Sequence, residues 1–237
     1  MKKQSKPQAQ KAIILDSGAL ISFSMSGITD IIKKLKEIFP GKFLITSEIK
    51  KEVIDVPLRI KKFELEALKI KALLDENILE LPNSLGIKDS EIEKEGNEML
   101  RIANSTFNGK GQDMHILDHG EASCLALSKI LTDRGIKNVI AIDERTTRLL
   151  VERPENLKSI FEDRMNTKVS IKTQNLKFFR DFKIIRSAEL AYVAYKKGFI
   201  GLKDGMVLDA LLYALKFKGA AISGDEIEQI KKLGDLN

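Results

Sequence analysis

The stretch Ile13-Ile14-Leu15-Asp16-Ser17-Gly18-Ala19-Leu20-Ile21 decides the fold class. An apolar run that stops on one carboxylate and passes at once into small turn residues reads as a buried strand feeding a turn. In α/β folds the carboxyl end of such a strand borders the crevice where ligands sit. The stretch Asn138-Val139-Ile140-Ala141-Ile142-Asp143 repeats the pattern, with a β-branched run, an Asp, then polar residues and a helical signal.

Outward from these two stretches, strand and helix signals alternate. Apolar residues at spacings of three and four predict a helix over 28–39, which Pro40-Gly41 stops. A short strand over 42–45 follows, and Thr46 or Ser47 caps a helix over 48–54. The pattern continues with a helix over 58–75, a short strand over 78–81 and a charged helix over 88–103. Residues 104–112, rich in Gly and Asn, read as a mobile loop. A helix over 120–131 leads to the strand over 138–142, and a helix over 146–150 follows. Beyond Pro154 come a polar loop or short helix, a last strand over 182–186, and helices over 187–197, 204–218 and 225–233. Such alternation predicts an α/β fold with three layers, α/β/α, around a mostly parallel central sheet.

Composition narrows the class. A chain of 237 residues, 43% of them hydrophobic, supports a sizeable packed core. Its apolar runs fall short of the roughly 20 residues a membrane span needs, so no membrane partner is expected. Residues 1–11, polar and basic, read as a flexible tail and not as a secretory signal. The single cysteine, Cys124, rules out an internal disulfide and points to a reducing, cytoplasmic setting. His115 and His119 have no third histidine or cysteine to close a zinc site. The excess of 40 Lys and Arg over 34 Asp and Glu gives a net charge of +6, which favours polyanionic partners.

The acids carry the chemistry. Asp16 and Asp143 end strands, Glu52 lies in the helix after the second strand, and Glu121 starts the helix that precedes the strand ending at Asp143. Four carboxylates brought together repel strongly, and a hard divalent cation, Mg²⁺ or Mn²⁺, is the simplest relief. Glu48 and Glu52 are one turn apart on one helix face, and Glu52 is preferred from its place before Val53. Each acid also has a plain structural reading. Asp16 suits a turn, Glu121 the first turn of a helix, and Asp143 with Glu144 an N-cap. Arg145 and Arg148 follow Asp143 closely enough to reach a phosphate beside it.

These segments resemble the PIN-domain ribonucleases of the archaeal type. The resemblance lies in 14–21 for the first acid, 46–53 for the second, 117–123 for the third and 141–146 for the fourth, with a fifth similar stretch from Ile185 to Ile200. It implies a metal-dependent endoribonuclease that hydrolyses RNA phosphodiester bonds, with Asp16, Glu52, Glu121 and Asp143 as catalytic and metal-binding acids. Ser17, Asp118 and Glu144, and Glu48 in place of Glu52, would support them. The resemblance spans about residues 11–201. It divides the chain into a tail (1–11), a nuclease domain (12–201) with a variable insertion (84–115), and a C-terminal helical extension (202–237). The added segments could cover the cleft, form a homodimer surface, or meet an antitoxin or RNA-processing partner. The alternative is a non-catalytic RNA- or protein-binding module on the same fold.

Overall fold

Strand β1 (Lys11–Leu15) is buried along all but its first residue and forms the middle of the sheet. The computed structural model describes residues 11–202 and 204–235; the expected tail lies outside the described residues except for Lys11, which belongs to β1 and pairs with Lys137. After Asp16 the chain turns directly into α1 (Ser17–Met25), a helix the sequence pattern does not reveal. Its buried residues include Ser22 and Ser24 beside Leu20 and Phe23, so no polar stripe marks an outer face. The amphipathic helix α2 (Asp30–Ile38) then buries Ile31, Ile32 and Leu35 in the core.

Strand β2 (Lys42–Leu44) runs parallel to β1, and Thr46 caps the short helix α3 (Ser47–Lys50) by accepting from the Ile49 N–H at 3.2 Å. The helix expected over 48–54 does not continue as such. It widens into a π-helical turn, Lys51–Asp55, of the kind that re-aims side chains at functional sites. The helix expected over 58–75 is also shorter, a 3₁₀ turn at Pro57–Arg59 followed by α4 (Glu64–Asp75). Strand β3 (Leu79–Glu80) completes this side of the sheet.

Helix α5 (Asp89–Asn104) packs along α6 (His119–Asp133). Between them, the expected loop is a tight hairpin of β4 (Phe107–Gly109) and β5 (Gln112–Asp113). The turn uses Lys110 and Gly111 at positive φ, a conformation glycine adopts without strain. Strand β6 (Lys137–Ala141) then lies parallel to β1 in register Leu15 with Ala141. Helices α7 (Arg145–Glu152) and α8 (Pro154–Met165) lead into β7 (Val169–Ile171), which pairs with β4 to make a second, antiparallel sheet. The sequence shows no strand here, only the polar loop or short helix beyond Pro154, because among the described residues its pairing partner lies some sixty residues earlier, Asn108 opposite Ser170.

Helix α9 (Thr173–Leu176) and strand β8 (Ile184–Ile185) close the main sheet, whose order is β3-β2-β1-β6-β8, all parallel. Helices α10 (Ser187–Lys196), α11 (Val207–Phe217) and α12 (Gly224–Asp235) follow, with α11 packed on α10 and α12 on α11. The architecture is α/β with helices around an all-parallel sheet, consistent with three layers. No helix among the described residues is long and apolar enough to cross a membrane.

Strand order fixes the position of the crevice. The chain builds β1, β2 and β3 outward on one side, then returns to the other side for β6 and β8. The reversal lies between β1 and β6, and a parallel sheet opens its ligand crevice at that point, beyond the strands' carboxyl ends. Asp16 and Asp143 stand there on neighbouring strands.

Candidate functional site

Asp16 is 2% exposed and serves as the N-cap of α1, with Oδ2 accepting from the Gly18 N–H at 3.3 Å. Its own N–H donates to the Ala141 carbonyl at 3.0 Å, tying the end of β1 to β6. Burial, then the charge of Glu121, raises its carboxyl from 3.8 to about 8, against the opposing pull of the Gly18 and Ser17 amides; Glu52 adds to the rise. No Lys or Arg pairs with it among the described residues.

Asp143 is also buried. Its Oδ1 accepts from the Ser187 N–H at 2.8 Å, and its Oδ2 from the Ser187 hydroxyl at 2.7 Å and the Ser22 hydroxyl at 3.2 Å. Burial raises its carboxyl and these donors lower it, burial being the larger influence. Gly18 separates the two aspartates: a Cβ built there would lie 3.5 Å from Asp143 Cβ and 3.6 Å from Asp16 Oδ2.

Glu52 and Glu121 complete the group. Burial raises both, the carboxyl of Glu52 countered by a hydrogen bond from Ser17 and that of Glu121 by the Asp118 N–H. The latter bond, 2.8 Å to Glu121 Oε2, is the N-terminal box of α6. The buried Thr46 and Ser123 hydroxyls meet at 2.7 Å, and Ser123 donates to the Gly120 carbonyl at 2.7 Å. The two helices that carry the glutamates are thereby locked together. Glu48 stands apart. It approaches Lys51 at 3.8 Å and borders a separate cleft with Asp89 and His119, so of the two glutamates Glu52 is the one aimed at Asp16.

Gly120 leaves room for Glu52. A Cβ there would fall 2.7 Å from Glu52 Oε1. Gly120→Ala is therefore expected to push the Glu52 carboxylate aside while leaving the fold intact, since Ala suits a helix better than Gly. Melting temperature should hold or rise, and any activity that uses Glu52 should fall about 10–100-fold, as displacements near 1 Å do. Unchanged activity in the folded variant would remove Glu52 from the site.

The supporting residues sort by contact. Ser17 bonds Glu52, whereas Glu144 is the N-cap of α7, accepting from the Thr147 N–H at 2.6 Å. Asp118 is largely exposed and pairs with His115 at 2.7 Å. Arg145 is exposed, but Arg148 is buried and donates to the Ala221 carbonyl at 2.7 Å, which makes it a tie between α7 and the segment before α12. Sequence reading overlooked Ser22, Ser187 and Gly120. Ser22, a hydroxyl buried beside Ala19 and Phe23, is the most visible of these signals.

Among the described residues, no three His, Cys, Asp or Glu side chains are gathered into a ready metal cage. The donor chemistry nevertheless fits a hard cation. Buried Asp16 has two other carboxylates close enough to raise its pKa and, among the described residues, no cationic partner. Mg²⁺ keeps several waters and is held through one or two carboxylates, so neighbouring acids that do not close a full cage suit it. No protein-family model, curated protein or solved structure matches this chain.

Proposed function

We propose that the protein is a metal-dependent endoribonuclease. The observation that carries this reading is the convergence of Asp16, Glu52 and Glu121 beside Asp143 at the switch point of a parallel sheet, with Asp16 buried and lacking a cation. RNA as the substrate comes from the family resemblance and agrees with the net charge of +6.

Asp16 and Glu121 would hold Mg²⁺ or Mn²⁺, with Glu52 and Asp143 completing the set directly or through water. When bound, the ion lowers the pKa of water and stabilises charge building on a phosphodiester oxygen. The protein's own part is positioning. Ser187 and Ser22 fix the Asp143 carboxylate in one orientation, and Ser17 orients Glu52. Burial keeps the acids' repulsion unscreened, so cation binding and deprotonation of Asp16 are coupled.

Purified protein is expected to cut single-stranded or structured RNA with Mn²⁺, to stop in chelator, and to lose activity on Asp143→Asn. Metal-dependent cleavage that survives both Asp143→Asn and Asp16→Asn would defeat the assignment. A second reading, a non-catalytic binding module, draws on Asp143, whose carboxylate is filled by three protein donors as a purely structural acid would be. Titration calorimetry separates the two, because a folded protein that takes up no Mn²⁺ fits only the module.

A further inference from the structure

A cleft of about 760 Å³ opens near the strand end that carries Asp143, between α7, the start of α10 and α12. Four arginines line it, Arg145, Arg148, Arg153 and Arg186, against Glu152, Glu189 and Glu226. The cleft shares its wall with Asp143. Arg186 precedes Ser187, which holds the Asp143 carboxylate, and the Ala221 N–H donates to the Asp143 carbonyl at 3.3 Å.

The arginines fall into two sets. Arg186 is fixed by Glu189 and donates to Glu226 Oε1 at 2.5 Å, while Arg148 comes within 3.8 Å of the same oxygen. The Glu226 carboxylate therefore occupies a point on which two forked cations converge, the arrangement that suits a phosphate. Arg145 and Arg153 are exposed and make no ion pair among the described residues. Among the described residues no aromatic side chain lines the cleft, which offers charge there and no surface for stacking bases.

We propose that this cleft seats a backbone phosphate of the RNA next to the scissile bond, with Glu226 as the internal anion that the phosphate displaces. The proposal rests on the nuclease reading. It makes Arg145 and Arg153 open phosphate contacts and Arg186 with Arg148 a fixed cationic floor, and it predicts recognition independent of sequence.

The test is anisotropy of labelled single-stranded RNA oligonucleotides of unrelated sequence, with the full chain in chelator so that nothing is cut. Arg145→Ala/Arg153→Ala should weaken binding on the order of tenfold for every sequence, as loss of charged hydrogen bonds does. The slope of log affinity against log salt should fall by about 1.4, or roughly 0.7 for each phosphate contact on a single strand. Glu226→Gln keeps the helix cap while removing the charge, and should tighten binding. Wild-type affinity and slope in the double variant, or a loss confined to one sequence, would overturn the proposal. Mn²⁺-dependent cleavage run in parallel tells the two readings apart. Arginine-dependent binding alongside cleavage that ignores Asp16→Asn sinks the nuclease and spares the cleft, whereas Asp16-dependent cleavage with unaltered binding in the double variant sinks the cleft alone.

Discussion

Asp16→Asn is expected to make the metal-free protein more stable and to abolish its cleavage activity. The stability half follows from linkage. The Asp16 carboxyl stands at about 8 in the folded chain against 3.8 ordinarily, so the native state retains a proton that the unfolded state releases. Stability is then full below about pH 4 and falls as pH rises, until the native carboxyl also ionises near 8. By pH 7 this costs on the order of 4 kcal/mol at 1.36 kcal/mol per pH unit. Asn resembles the protonated acid and carries none of that cost. Allowing for relaxation of the site, a gain of about 2 kcal/mol and a Tm higher by ~4–8 °C are expected at pH 7 in chelator, with little gain at pH 4.

Activity should drop more than about 100-fold, beyond what loss of a group that merely orients a ligand causes. Added Mn²⁺ should then reverse the stability order. It would raise the wild-type Tm, by about 2.7 kcal/mol of stabilisation at a hundredfold excess over Kd, and leave the variant nearly where it was. Equal melting temperatures for the two proteins across pH 4–8 would show that Asp16 is not a strained carboxylate.

Ser187→Ala should give the next largest effect. The Ser187 side chain is fully buried and supplies the shortest of the hydroxyl bonds to Asp143. Removing it leaves a buried carboxylate one donor short, which costs about 1–3 kcal/mol. Asp143 is already raised by burial, and losing a donor raises it further. The added pH-dependent destabilisation is absent while both folded proteins keep the proton, and it grows as pH climbs through the wild-type folded value, itself above the ordinary 3.8, toward the variant's higher one. Urea melts at pH 4 and pH 8 read the difference. A variant equally destabilised at both would mark Ser187 as a packing residue. Cleavage should fall together with stability at pH 8, because the Asp143 orientation is lost.

What the sequence made legible follows from how local each signal is. The strand ending at Asp16 and the one ending at Asp143 could be read because apolar run, acid and turn are contiguous, and the parallel sheet then places both acids at one edge. Helix α1 could not be read, since its exposed positions, Ile21 and Met25, are apolar while Ser22 and Ser24 are buried, which erases the periodicity that marks a surface helix. The antiparallel sheet was hidden for another reason: β4, β5 and β7 are two or three residues long, and their pairing is not local. At the site, the acids were visible but their holders were not. Ser22 reaches Asp143 across 121 residues and Ser187 across 44, and no spacing rule connects them. Arg148 shows the converse, a residue close to Asp143 in sequence whose guanidinium is committed to a backbone carbonyl.

Cys124 lies with no exposed surface under this acidic edge, its Sγ 3.9 Å from Asp16 Oδ1, and burial together with Asp16, Glu121 and Glu52 pushes its thiol well above the ordinary value. A thiol so placed is nearly inert, because reaction needs the thiolate and access to it. As the chain's one cysteine, it is a built-in clock. The rate at which a disulfide reagent modifies it counts openings between α6 and β1, and slowing of that rate by a divalent cation would time how firmly the ion bolts the two elements shut.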